Sequence, residues 1–170
     1  MFTPPVRVCF VCSGNICRSP TAEVVLRAQA EDAGLGELVT VSSAGTGAWH
    51  VGEDMDERAR RTLVQAGYDP KPHVANDFDA DDFAANDIVV ALDSTHHRVL
   101  WDLAGETPNP VQARAKIAML RTFDPQLTPD VPPDVPDPYF GGAEGFEEVL
   151  GQVERSCAKL LELIRLNAEA

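Results

Sequence analysis

Residues 8–20 read VCFVCSGNICRSP, with Cys9, Cys12 and Cys17 inside nine positions and Arg18, Ser19 and Pro20 directly after them. The run Val6–Val11 is short, apolar and rich in β-branched residues, as in a buried strand. The next residues suit a tight loop that opens a helix. Gly14 permits a positive φ and Asn15 tolerates one better than most residues, so successive N–H groups can converge on one anion. Pro20 suits the first helical turn with Ser19 as its cap, and a helix N-terminus then adds partial positive charge at the same point. Cys12 would lie at the base of this cradle, where the amides, the dipole and the Arg18 guanidinium favour its thiolate. Arg18 offers a planar fork that matches two oxygens of a tetrahedral oxyanion. Together these residues make Cys12 a nucleophile aimed at the phosphorus of a bound phosphate.

Further along, strands alternate with helices. The pattern predicts a helix over Pro20–Ala33 ended by Gly34, with Ala22, Val25, Leu26 and Gln29 near one face. It predicts a strand over Leu38–Ser43, a Gly-rich turn at AGTGAWHVG, and a helix over Asp54–Ala66 stopped by Gly67. Ala75–Ala85 reads as a short acidic helix, Asp87–Leu92 as a strand, Ser94–Leu103 as a helix and Lys116–Leu120 as the fourth strand. Between Thr122 and Pro138 there are five prolines after Thr128 alone, too many for a helix or a central strand. That segment is a long loop, and Phe146–Leu166 closes the chain as an amphipathic helix. The alternation implies an α/β fold, a four-stranded parallel sheet with helices on both faces, within one domain over residues 1–170. In such sheets ligands bind beyond the carboxyl ends of the strands, which is where the loop after the first strand lies.

Composition narrows the chemistry. The formal charge of −13, from 27 acidic and 14 basic side chains, disfavours nucleic acid, whose binding relies on Lys and Arg contacts to phosphate. An anionic small-molecule site in such a chain must build its positive potential locally, from amides and one or two cations. No apolar run approaches the roughly 18 residues of a membrane helix. The stretch MFTPPVRVCFVC is a poor secretory signal, so the expected location is the cytoplasm, with export by another route left open. Four cysteines in 170 residues do not make a disulfide scaffold. A zinc site is a weak rival, because no second ligand pair follows Cys9-x2-Cys12 at a suitable spacing. Cys9 lies inside the apolar strand, which weakens a thioredoxin-like pair, and Cys157 lies on the apolar face of the last helix.

The stretch VCSGNICRSP resembles the low-molecular-weight protein tyrosine phosphatases. SSAGTGAWHVG (Ser42–Gly52), His73, ALD (Ala91–Asp93) and DPYFGG (Asp137–Gly142) follow in that family's order and spacing, so the resemblance covers nearly the whole chain. It implies hydrolysis of phosphotyrosine in proteins without metal or other cofactor. Cys12 would attack phosphorus and form a phosphocysteine, and Arg18 would hold the equatorial oxygens. Asp137 would protonate the departing oxygen and then activate water. Ser19 would hydrogen-bond the thiolate. Ser13, Gly14, Asn15, Ile16 and Cys17 would complete the phosphate loop, with Asn15, Ser43 and His73 bracing it. Trp49 and Tyr139 would flank the substrate ring. The family also implies a monomer.

Several residues keep competing readings. By charge alone Asp130, Asp134 and Asp137 are equal candidates for the acid, and only the DPY context selects Asp137. Cys17 is either a redox partner of Cys12 or a packed loop thiol. His96 and His97 follow a helix cap and read as solvent-exposed. Two other activities share such a loop. Arsenate reduction by intramolecular relay needs cysteines in mid-chain, and none lies between Cys17 and Cys157. Removal of phosphate from arginine goes with a small polar residue where this chain has Ile16. A phosphate-binding module without catalysis would need neither the thiol nor the acid.

Overall fold

The computed structural model describes residues 1–168. Four parallel strands, β1 (Val6–Cys12), β2 (Val39–Gly45), β3 (Ile88–Ala91) and β4 (Ile117–Met119), stand in the order β2-β1-β3-β4. β1 is central and pairs along its length with β2, from Val6 opposite Val39 to Cys12 opposite Gly45. Every residue of β1 but Arg7 is buried, as a strand covered on both faces requires. Arg7 is held at the sheet's lower edge by Asp87, with Nη2 3.0 Å from Oδ1.

Successive β1 side chains serve two cores. Val8 and Phe10 pack with Leu26 of α1 (Arg18–Asp32), Leu63 of α2 (Glu57–Gln65) and Val153 and Leu161 of the last helix. Cys9 and Val11 face the other way, with Phe83 of α3 (Asp82–Ala85), Leu100 of α4 (Ser94–Ala104) and Ala113 of α5 (Pro110–Ala115). The last helix, α6 (Ala143–Ala168), runs along α1, and its Cys157 is fully buried there. Each large side chain enclosed in this way contributes about 2 kcal/mol. No helix among the described residues is long and apolar enough to cross a membrane.

Three expectations change. The acidic helix over Ala75–Ala85 is confined to Asp82–Ala85. Residues before it instead extend the sheet: Gly45 N–H donates to Asn76 O, Phe78 N–H donates to Gly45 O, and Gly45 bridges Asp77. Tertiary pairing at the end of β2 overrides the local helix preference. The helix after the loop begins at Arg18, with Cys17 rather than Ser19 in the capping position and no side-chain cap. The Ser19 hydroxyl is engaged elsewhere, with Cys12 and Asn15. The short α5, opened by Asn109 accepting from Gln112 N–H, carries too little periodicity to be seen in sequence.

The Pro-rich loop has one firm anchor at its start. The Asp124 side chain is wholly enclosed. It accepts from Arg155 Nε (3.0 Å) and Nη2 (3.1 Å) of α6, from Arg121 Nε (3.3 Å) and from Gln126 N–H (2.9 Å). Burial pushes its carboxyl up, but these donors outweigh burial and the net effect lowers it. A folded-state value below the unfolded one means the contribution is complete above about pH 4 and lost as pH falls through the folded value. Asp124→Asn is therefore expected to cost about 2 kcal/mol at pH 7 in urea unfolding. The gap between variant and wild type should shrink below pH 4, and an equal gap at both pH values would contradict the assignment.

Candidate active site

The chain between β1 and α1 is a loop whose carbonyls point away from its centre. Cys12 O accepts from Thr46 N–H, Ser13 O from Gly47 N–H, Ile16 O from Asp56 N–H and Cys17 O from Thr21 N–H. Asn15 O accepts from His73 Nε2 at 2.7 Å, which puts the His73 proton on that nitrogen. By contrast, the N–H groups of Gly14, Asn15, Ile16, Cys17 and Arg18 find no protein acceptor among the described residues. Backbone donors near the interior seek a partner, so the loop is built to receive an anion.

Asn15, and not Gly14, makes the turn, with φ 59°. Its side chain is fully buried and its orientation is set by Asn76 N–H, which donates to Oδ1 at 3.1 Å. Nδ2 then donates to Ser19 Oγ (2.9 Å) and Ser43 Oγ (3.0 Å). Ser43 passes its own proton to Glu23 Oε1 (2.6 Å). Ser19 Oγ accepts from Asn15, and its single hydrogen has two acceptors in reach, Cys12 Sγ at 2.9 Å and, farther off, Ala44 O at 3.4 Å. The absence of side chains matters close by. A Cβ on Gly45 would fall 2.6 Å from Ser13 O, and one on Gly14 2.7 Å from the His50 ring.

Arg18 is buried at the start of α1 and its two ends have different partners. Nη1 donates to Asp93 Oδ2 (2.8 Å) and Val135 O (2.9 Å), which uses both of its protons. Nη2 faces His96 Nε2 at 3.5 Å and Asp137 Oδ2 at 3.6 Å. The edge formed by Nε and Nη2 is thus left for a ligand. The Asp93 carboxyl is pushed up by burial, but the His96 N–H and Arg18 outweigh that and hold it low.

The acid loop is tied to the same neighbourhood. Val135 N–H donates to Leu92 O, and Asp134 Oδ1 accepts from both Ser94 N–H (2.8 Å) and Ser94 Oγ (2.7 Å). That engagement takes Asp134 out of the contest for the acid, while Asp130 is exposed on the loop. Asp137 Oδ1 accepts from Tyr139 N–H (3.0 Å), which leaves Oδ2 toward Arg18.

These elements enclose a cavity of about 180 Å³ lined by Cys12, Ser13, Gly14, Ile16, Cys17, Arg18, Trp49, His50, Asp137, Tyr139 and Phe140. Its rim is aromatic. Trp49 lies across Gly47, where any Cβ would fall 2.1 Å from the ring. Tyr139 meets Phe140 edge-on at 4.9 Å, and Arg58 sits between the Tyr139 ring (5.4 Å) and Phe146 (4.8 Å). Asn15, Ser19, Ser43 and His73 stand behind the loop rather than in the cavity. All four cysteines are free thiols. Burial first, then Asp56 and the Cys12 sulfur, pushes the Cys17 thiol up to about 12. Among the described residues no group of three or more His, Cys, Asp or Glu side chains is gathered as a metal-binding set.

One expectation is overturned. His96 is 1% exposed, and His97 is half-buried with its ring stacked on Trp101 at 5.8 Å. His96 stands three residues after the Asp93 cap, and the two close a capping box: His96 N–H donates to Asp93 Oδ1, and Asp93 N–H donates to His96 Nδ1. The spacing Asp93-x-x-His96 is the signal in the sequence that points to this arrangement. Asp93, His50 and Phe140 also belong to the site; each lies in a stretch that carries the family resemblance, though the sequence alone assigns none of them a role.

The low molecular weight phosphotyrosine protein phosphatase family model matches residues 7–170. A low molecular weight protein-tyrosine-phosphatase of Streptomyces coelicolor is 51% identical over 164 residues, 96% of each chain. Low molecular weight protein-tyrosine phosphatase A of Mycobacterium tuberculosis is 46% identical over 150 residues, covering 88% of this chain and 86% of that one. Among solved structures, a protein tyrosine phosphatase from Entamoeba histolytica superposes with a TM-score of 0.85 at 32% identity, covering 95% of this chain and 98% of that one. With that family match over nearly the whole chain, and with Cys12, Arg18 and Asp137 grouped at one cavity, the chain belongs to the low molecular weight phosphotyrosine protein phosphatase family.

Proposed function

We propose that the protein hydrolyses phosphotyrosine in other proteins by way of a phosphocysteine. The observation that carries this reading is the joint aim of Cys12, the unpaired loop amides, the free edge of Arg18 and Asp137 at one cavity. A phosphoryl group seated there has its oxygens on the amides and on Arg18 Nε and Nη2. Cys12 Sγ attacks phosphorus as a thiolate, the S–P bond forms and the bond to the phenolic oxygen breaks. Asp137, carrying a proton, delivers it to that oxygen. As a carboxylate it then accepts a proton from water, whose oxygen attacks phosphorus, breaks the S–P bond and releases inorganic phosphate. Ser19 Oγ–H stabilises the departing thiolate at each stage.

The aromatic rim supports tyrosine as the phosphorylated residue, since a ring reaches the cradle between Trp49 and Tyr139 while a short serine ester would not. Ile16 in the wall favours a flat apolar ring over a phosphoguanidinium. The proposed substrates are phosphotyrosine-bearing proteins met in the cytoplasm, and the proposed working unit is a single-domain monomer.

Hydrolysis of p-nitrophenyl phosphate and of phosphotyrosine peptides, without added metal, tests the reading. Cys12→Ser should abolish turnover, and Asp137→Ala should lower kcat by about 100-fold or more, in keeping with the loss of a positioned general acid. Retained turnover in Cys12→Ser would refute the covalent route. Trp49→Ala tests the rim separately. It is expected to reduce kcat/KM severalfold for aryl phosphates and to leave a small alkyl phosphate unaffected; equal loss on both would remove Trp49 from the ring-binding wall.

A further inference from the structure

Ser13 is the residue after Cys12 in the cradle, and its hydroxyl has no part in the contacts described above. It is half-buried, it lines the cavity beside Cys12 and Arg18, and its Oγ is 2.9 Å from His96 Nε2. The direction of that hydrogen bond is set from the other side of the imidazole. His96 Nδ1 lies 3.2 Å from Asp93 N–H, a donor, so Nδ1 carries the lone pair. Asp93 Oδ1, also 3.2 Å from Nδ1, already accepts from His96 N–H. Arg18 Nη2, which can only donate, lies 3.5 Å from Nε2, a longer contact than the 2.9 Å to Ser13; with the Nδ1 lone pair facing Asp93 N–H, the imidazole proton is assigned to Nε2 and Ser13 Oγ accepts it. Ser13 Oγ makes no second hydrogen bond among the described residues. Its own proton is then left without a protein acceptor, and Ser13 lines the cavity.

From this juxtaposition we infer that the Ser13 hydroxyl is a further donor to the bound phosphoryl group, held with its proton toward the ligand by His96. It adds a side-chain hydrogen bond to those of the loop amides and Arg18. Ser13 acts as a catalytic residue and His96 as a positioning residue. The inference rests on the phosphatase reading and deepens it.

His96 suits this part because it stays uncharged. The charged groups around it are Arg18 at the start of α1, Asp93 at the cap of its own helix, and Asp134 and Asp137 on the acid loop. Burial first, then the Arg18 charge, lowers it to about 4 against the pull of the three carboxylates. An imidazolium would also set a like charge 3.5 Å from Arg18 Nη2. A neutral ring with a fixed proton can orient a hydroxyl at pH values above about 4.

The test compares Ser13→Ala, Ser13→Thr, His96→Ala and the double variant Ser13→Ala/His96→Ala with wild type. The readouts are kcat/KM for p-nitrophenyl phosphate and the inhibition constant of inorganic phosphate. Loss of one hydrogen bond to a charged ligand predicts about a tenfold fall in kcat/KM for Ser13→Ala and a weakening of phosphate of similar size. Ser13→Thr, which keeps the hydroxyl, should recover most of that loss. His96→Ala should cost less in the Ser13→Ala background than in wild type, because the part of its effect that passes through Ser13 is already lost there. Ser13→Ala within twofold of wild type in both readouts would overturn the inference. Full additivity in the double variant would remove His96 from it, as would nitrogen-15 shifts showing a proton on Nδ1.

Failure of the phosphatase reading has a different appearance, an inactive wild type. In that event phosphate titrated into Cys12→Ser and into Cys12→Ser/Ser13→Ala still decides the matter. Equal affinities refute the Ser13 donor, and weaker binding without the hydroxyl upholds it.

Discussion

A chain that bends its amides toward one point turns the carbonyls of that bend the other way, and here five of them find a partner. This constraint organises the structure around residues 12–18. The partners arrive from distant segments: Thr46 and Gly47 after β2, Asp56 before α2, His73 ahead of the bridge at Asp77, Thr21 within α1. The conformation also places Asn15 in the left-handed region, at a cost of order 1 kcal/mol, which its buried amide offsets through Asn76, Ser19 and Ser43. One side chain therefore holds the bend and, through Ser19, orients the hydrogen bond to the nucleophile.

Arg18 meets a related constraint from the charge side. Nη1 is neutralised by Asp93 and bonded to Val135 O, so the guanidinium can remain buried before any anion arrives. The same bonds fix its plane, and lysine, with a point charge and no fork, could not satisfy both sets of partners. Val135 also donates to Leu92 O, and Asp137 follows two residues later. The position of Asp137 is thus coupled to that of Arg18, and the Pro-rich segment acts as a bracket with anchors at Asp124, Asp134 and Val135.

Much of this is legible in the residues. The apolar run of β1, the Cys12-to-Arg18 spacing and the DPY stretch carry local information, and each lies where pattern places it. What pattern cannot supply depends on neighbours remote in sequence. The acidic stretch Ala75–Ala85 has helical composition, yet its first residues pair with the end of β2. Ser19 has the chemistry of a cap, yet a thiol and an amide claim its hydroxyl. His96 reads as a surface residue because a histidine in the polar run STHH gives no hint of burial. Only the cap spacing from Asp93 gives one, and that spacing is short-range and readable.

The net charge of −13 poses a last question: how such a chain attracts a phosphate dianion at all. Long-range steering offers no help, since the overall field opposes approach. Binding must come from groups that act only at contact, namely unpaired amides, a helix N-terminus and one edge of one guanidinium. Carboxylates nearest the cradle are already engaged: Asp93 with Arg18, Asp134 with Ser94, Asp56 with Arg58. Asp137 alone faces the cavity with an oxygen held only by Arg18 at 3.6 Å. An anion in the cradle therefore meets one carboxyl group and, set against it, the loop amides and the guanidinium of Arg18.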